Sequence, residues 1–292
     1  MNTPADVGDG APARTRSRSA ARFRRSLTPW RVIALVIAAL VTVAAVLGPL
    51  LVPFDPLDTG TGARFAPPGT AGHLLGTDAF GRDVATRLVH GLRTELVIAL
   101  SATVLAAAAG TVLGVLGGYF GRWVELVTMR VTDVVLAFPT IVFALLAVAV
   151  FGAGTVTLIL VLAVLFAPTY ARLAYGQVLS VRRAEYVEAE IAFGSPTPRL
   201  LRRTVLPNVL APILVQLSLT VAAAVLLESG LSFLGLGVLP PAPSLGLMIA
   251  DGQRYLSSEP GQLLVPATAV VLTILAFGAL GDVLRDWLDP RR

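Results

Sequence analysis

The side chains able to do covalent or metal chemistry are few in this chain. Its two histidines, His73 and His90, have no second ligand at helical spacing. The pattern that builds a zinc site is therefore missing, and both read as ordinary polar loop residues. Cysteine is absent, which excludes disulfides, thiolate nucleophiles and Cys-bound metals. Lysine is absent as well, since all 23 basic residues are arginine. A phosphate loop of the G-x-x-x-x-G-K-[ST] type needs that lysine to reach the phosphates, so if ATP drives this protein, another chain hydrolyses it. No catalytic residue, no metal and no cofactor is expected.

What remains is electrostatic. The stretch "EYVEAEIAFGSPTPRLLRRTVLPN", Glu185 to Asn208, is charged and broken by proline, and it lies between two long apolar runs. Nine charges fall between Arg172 and Arg203; at about 2.5 to 3.5 kcal/mol each, holding them in a bilayer centre would cost more than about 20 kcal/mol. The stretch must lie outside lipid. Residues 185 to 193 contain no helix breaker, whereas Gly194 followed by Pro196 and Pro198 stops a helix. A second short piece, "RLLRRTVL", then runs to Pro207. Two short helices meeting at a glycine make a compact protrusion, with Glu185 and Glu188 on one face and Val187 and Ile191 on another. On these residues alone, a solvated connector fits as well as a docking element.

The elements that must position this stretch are apolar. Hydrophobic residues make up 55% of the chain and charged residues only 14%, and the mean hydropathy is +0.78. This is the composition of a membrane protein. Six runs approach the roughly 20 residues needed to span a bilayer: Val32 to Val52, Leu96 to Gly117, Leu126 to Val150, Val156 to Tyr170, Val209 to Leu227 and Leu263 to Leu284. The expected fold is an all-α membrane protein, a polytopic helical bundle with six transmembrane helices. The fourth run is short and carries Pro168. Seven arginines precede the first run as they would in a signal peptide, but its length and the five later runs argue against cleavage.

The expected organisation is a disordered basic tail over residues 1–30, a first transmembrane helix over 31–52, an extracytoplasmic segment over 53–92, and a core domain over 93–292 that contains a cytoplasmic loop over 172–208. In the second run Ala106, Gly110, Gly114 and Gly118 recur every four residues, leaving one helix face nearly bare for close packing. Arg130 and Asp133 are spaced to pair along one helix. Gln216, Ser218 and Thr220 in the fifth run suit either a path lining or interhelical hydrogen bonds.

Orientation follows from arginine. With both termini in the cytoplasm, 18 arginines fall inside and five, Arg64, Arg82, Arg87, Arg93 and Arg254, fall outside. The pI near 10.4 thus reflects membrane topology, and no nucleic-acid partner is expected; the partner implied by composition is membrane lipid. An ion-coupled secondary transporter would need ionisable residues facing a midplane cavity, and the charges of the predicted spans lie near their ends.

The pattern Glu188-Ala189, then Gly194, then Leu206-Pro207 resembles the cytoplasmic loop signature of binding-protein-dependent ABC importer permeases. The similarity extends through "HLLGTDAFGRD" at 73–83, "RVTDVVLAFP" at 130–139, "LPNVLAPILV" at 206–215, "ESGLSFLGLGV" at 228–238 and "GDVLRDWLDP" at 281–290. Together these are similar to the C-type permease subunit of dipeptide and oligopeptide importers, a family that also includes nickel transporters. The resemblance implies the type I importer permease fold, a homologous second permease, two ATP-binding subunits and an extracytoplasmic substrate-binding protein. It also implies that Glu185, Glu188, Ala189, Gly194, Leu206 and Pro207 form an ATPase-coupling loop. Three positions depart from the family pattern: Glu190 stands where alanine is usual, Tyr175 where a second arginine is common, and "PSLG" replaces Pro-Ser-Trp-Gly. A nickel complex remains an alternative substrate.

Overall fold

The computed structural model describes residues 29–70 and 72–288; the expected basic tail falls outside the described residues up to residue 28. The described chain is helical, with only two isolated β-bridges, Thr70 with His73 and Thr77 with Asp83. In order the elements are α1 (Pro29–Leu51), α2 (Val84–Phe120), α3 (Arg122–Ala137), α4 (Thr140–Phe151), α5 (Thr155–Arg182), α6 (Glu185–Ala192), α7 (Thr197–Leu200), a π-turn (Leu201–Val205), α8 (Leu206–Phe233), α9 (Leu245–Gln253) and α10 (Gly261–Leu288).

Five helical stretches are long and apolar enough to cross a bilayer: α1, α2, α5, the continuous α7–α8 rod and α10. A sixth crossing exists if α3 and α4 count as one span, but these two meet at an angle of 92°. The straight third span expected over Leu126 to Val150 is thus broken. Pro139 supplies no backbone N–H and pushes the residue before it out of the helical region; Phe138 is accordingly extended, at φ −87° and ψ 136°.

Two other prolines behave differently. Pro168 lies buried within α5, which continues to Arg182, so the short fourth run becomes a full 28-residue helix. The second short helix expected to end at Pro207 is instead continuous with the fifth span, making one 37-residue stretch from Thr197 to Phe233. Pro207 sits in the first turn of α8. The missing N–H is accommodated by the π-turn just ahead of it, where Leu206 N–H reaches back to Leu201 O.

The centre of the molecule is the pairing of α2 with α5. Leu92, Leu96, Ile98 and Ala102 of α2 are buried with Leu158 and Leu162 of α5 and with Val221 and Val225 of α8. A second buried cluster, nearer the charged loop, gathers Ala106, Tyr170, Val178, Val205 and Val209. Outside these layers α1 turns Leu40, Val43, Leu50 and Leu51 outward, and α4 does the same with Ile141, Leu146 and Val150. Apolar surface on this scale is what a lipid-facing helix presents.

The segment between α1 and α2 is irregular but tied down. Asp83 caps α2 by accepting from Thr86 N–H at 2.7 Å, and its other oxygen lies 2.9 Å from His73 Nδ1. The His73 ring stacks on Phe54 with centroids 4.8 Å apart, and Gln262 donates to Thr77 O at 2.8 Å, fixing the segment to the start of α10. His73 is thus a loop residue, as expected, but a buried one that organises the segment. His90 is not in a loop: it lies within α2 and bonds Thr86 O one turn back, at 2.9 Å.

Candidate functional site: the charged loop and its supports

The predicted coupling residues fall on one protruding corner. In α6, Glu185 and Glu188 occupy the first turn, where exposed N–H groups carry partial positive charge and favour carboxylates. The helix closes in a Schellman arrangement. Ser195 N–H donates to Glu190 O at 3.1 Å, Gly194 N–H donates to Ile191 O at 2.9 Å, and Gly194 holds φ at +77°. Glycine adopts that left-handed conformation without the Cβ clash other residues meet.

Burial sorts the faces of α6. Val187 is wholly buried and anchors the helix to the bundle, while its helical neighbour Ile191 stays half-exposed. Glu185, Glu188 and Ala189 point outward. Phe193 at the tip is 89% exposed, with Tyr186 and Ile191 also exposed beside it. Phe193 and Tyr186 are not among the coupling residues that the resemblance implies; the signal for them in the sequence is aromatic side chains in a stretch too charged to enter lipid. Farther on, Leu206 is half-buried and Pro207 exposed, both on the α8 rod.

Glu190, the departure from the family pattern, has a partner. Thr204 Oγ1 lies 2.9 Å and 3.2 Å from its two carboxylate oxygens, and the hydroxyl donates. Thr204 belongs to the π-turn, so this contact ties α6 directly to the base of the α7–α8 rod. Tyr175, the second departure, donates to Glu125 Oε1 at 2.5 Å.

Gly110, Gly114 and Gly118 line the face of α2 turned to α5. A Cβ on Gly110 would fall on the Ala167 carbonyl oxygen and 2.7 Å from Tyr170 Cβ; one on Gly114 would fall on the Ala171 oxygen and 2.8 Å from Ala174 Cβ; one on Gly118 would sit 2.9 Å from Val178 Cβ. Backbone meets backbone along this seam, with no room for a methyl group.

Two polar groupings escaped the sequence reading. Glu95 on α2 and Glu228 on α8 adjoin the ends of the predicted spans, yet both are wholly buried in the bundle. Ser229 donates to Glu95 Oε1. Glu228 Oε1 accepts from Ser232 at 2.7 Å and from Ser244 at 3.4 Å. The "ESGLSFLGLGV" segment therefore closes on itself through a buried carboxyl group. The other grouping joins α3 to α5. Asp133 accepts from Arg172 at 2.8 Å, so its ion pair runs between helices and not to Arg130 as the spacing suggested. Arg182 donates to Tyr119 O at 2.8 Å. Among the described residues no group of three or more His, Cys, Asp or Glu side chains is placed to hold a metal ion.

Known proteins share this architecture. The structure is similar to the permease chain of the MetNI methionine ABC transporter in an inward-facing conformation, with a TM-score of 0.55 over 68% of this chain and 95% of that one, at 18% sequence identity. By sequence the chain is 36% identical over 278 residues to the dipeptide transport system permease protein DppC of Alkalihalophilus pseudofirmus, covering 91% of each. It is also 36% identical over 262 residues to the di/tripeptide transport system permease protein DppC of Pseudomonas aeruginosa, covering 88% of this chain and 86% of the relative. Residues 110–292 match the family described as binding-protein-dependent transport system inner membrane component. With its bundle of five unbroken spans, its bent helix pair and its protruding loop, the chain belongs to that family, the membrane-embedded permeases of ABC importers.

Proposed function

We propose that this chain is one of two homologous permease subunits of an ATP-driven importer of dipeptides and oligopeptides. In this reading both termini are cytoplasmic, the assembly carries two ATP-binding subunits, one of which receives the 172–208 loop, and an extracytoplasmic binding protein delivers the substrate. The observation that carries the reading is the tip of α6, where Phe193, Tyr186 and Ile191 stand exposed beside Glu185 and Glu188. Apolar side chains kept out of both lipid and core call for a protein cover, and a groove on a soluble subunit provides one.

The same geometry suggests how force would pass. α6 is held to the bundle by Val187 and to the π-turn by the Glu190–Thr204 contact, and the π-turn continues into α8 without a break. A push on α6 by closing ATPases would therefore be delivered to a rigid rod that crosses the membrane, the kind of rigid-body motion that alternates access. The peptide substrate is supported by the named activity of the DppC relatives. ATP hydrolysis is assigned to other chains because no lysine exists to build a phosphate loop.

The test is co-purification and uptake. A tagged chain should retain both the second permease and an ATPase, and native membranes should take up dipeptide with ATP. Phe193→Asp should release the ATPase and abolish uptake while the second permease stays bound. Unchanged ATPase retention in that variant would remove α6 as the docking element, and uptake of a nickel complex in place of dipeptide would reassign the substrate.

A further inference from the structure

The α3 helix presents two exposed faces of opposite chemistry. Trp123, Val127, Val131 and Val134 form one, all large, apolar and exposed. The other carries Arg122, Leu126, Met129, Arg130 and Asp133, which with Glu125 line an open cleft of about 360 Å³. The third side is buried through Thr128 and Thr132, whose hydroxyls are satisfied by the helix itself, at 2.8 Å to Val124 O and 2.7 Å to Met129 O. At about 100° per residue these sets are distinct stripes of one helix.

On the polar stripe the Asp133–Arg172 ion pair is open, its side chains 49% and 56% exposed. At about 1.5 Å per residue it lies roughly 16 Å along α3 from Arg122, within the third apolar run. A half-exposed ion pair on a membrane segment is costly against lipid tails and is accommodated against water. Just beyond it the backbone breaks at Phe138 and Pro139, and irregular backbone at membrane depth is tolerated where it is covered by protein or faces a water-filled cavity.

We propose that the polar stripe of α3 lines the water-filled route through the assembled importer, and that the Asp133–Arg172 pair opens to receive the charged ends of a zwitterionic peptide. The proposal rests on the importer reading above. An exposed pair adds little stability, so it parts readily. The Arg172 guanidinium then donates two parallel N–H bonds to a peptide carboxylate, and the Asp133 carboxylate accepts from a peptide ammonium. One internal ion pair is exchanged for two with the substrate, and no charge is left alone. Arg130 in the same cleft adds a second cation for the carboxylate end.

The chain's lack of cysteine allows a clean test. Single substitutions Leu126→Cys, Met129→Cys and Asp133→Cys on the polar stripe, and Val127→Cys, Val131→Cys and Val134→Cys on the apolar stripe, are made in the full chain within native membranes. Inside-out vesicles are treated with a charged methanethiosulfonate reagent, with and without nucleotide. The polar-stripe positions should react at least ten-fold faster than the apolar ones in one nucleotide state. Millimolar alanyl-alanine should slow labelling of Met129→Cys several-fold, whereas its N-acetylated amide should not. Equal reactivity on both stripes, or none on the polar stripe in any state, would overturn the lining; equal protection by both compounds would overturn the ion-pair exchange. Either result in membranes that still import dipeptide leaves the importer reading standing, and absence of ATP-dependent uptake by the wild-type membranes would remove that reading instead.

Discussion

Glu190 is a carboxylate whose contact with Thr204 makes it a strut between α6 and the rod behind it. Hydrogen bonds to charged groups contribute about 1.5 to 3 kcal/mol when buried, and this half-buried one lies at or below the lower end of that range. Glu190→Ala should therefore leave membrane abundance unchanged and lower uptake several-fold, while Glu190→Gln, which keeps an acceptor, should stay near wild type; transport assays at matched protein level decide this. Glu228 is the converse case. It is wholly buried, and its removal strands the hydroxyls of Ser232 and Ser244, at a cost of about 1 to 3 kcal/mol for each buried group left unsatisfied. Glu228→Ala should lower the thermal midpoint and the amount of protein in the membrane, and Glu228→Gln should lower both less. The Glu190–Thr204 and Glu95–Ser229 contacts could not be read from the sequence, although Glu228 and Ser232 stand one turn apart on α8. Glu190 and Thr204 are 14 residues apart, and Glu95 and Ser229 are 134 apart. Such partners are joined only when helices cross, whereas spacing rules reach about one helical turn.

At the scale of the element, two glycines separate function from folding. Gly194 has open space around its missing Cβ but holds φ at +77°, so a side chain there strains only the backbone, by roughly 1 to 2 kcal/mol for a β-branched residue. Gly194→Val should re-aim α6 and reduce uptake towards background, with normal membrane abundance and normal retention of the second permease. Gly114 has ordinary helical geometry and no space, because a Cβ would strike the Ala171 backbone. Gly114→Val should force α2 away from α5 across the most extensive helix contact of the bundle and deplete the protein from the membrane, as immunoblotting of membrane fractions would show. Both glycines were legible in sequence, one as the stop after the breaker-free run over 185–193 and one from a four-residue repeat. The prolines were less so, because the same residue breaks, tolerates or merely adjusts a helix according to its setting. Pro139 follows an extended residue and divides α3 from α4, Pro168 is held inside α5 by surrounding helices, and Pro207 falls in the first turn of α8 where a π-turn absorbs its missing N–H.

Across the whole molecule, the start of α1 and the end of α10 meet, since Arg31 Nη1 lies 2.5 Å from Asp286 Oδ2. The two ends of the described chain therefore lie on one side of the bundle. That agrees with an even number of crossings and requires the bent α3–α4 pair to count as one. The segment between α1 and α2 lies at the other end, bound through Thr77 to Gln262 at the start of α10. The proposed orientation, with the α6 loop in the cytoplasm, rests on charge: it retains 18 arginines and exports five, the asymmetry that orients membrane proteins. A chain without native cysteine reports its own topology. Ser195→Cys, next to Gly194 at the tip of the loop, should resist an impermeant maleimide added to intact cells and label once the membrane is opened. Thr61→Cys and Ser258→Cys, at the opposite end, should label from outside, Ser258→Cys faster because its residue is exposed while Thr61 is half-buried and donates to Gly81 O. Labelling of Ser195→Cys in intact cells would invert the molecule, carry the α6 surface away from any cytoplasmic ATPase, and leave the charged loop without the partner that its exposed Phe193 requires.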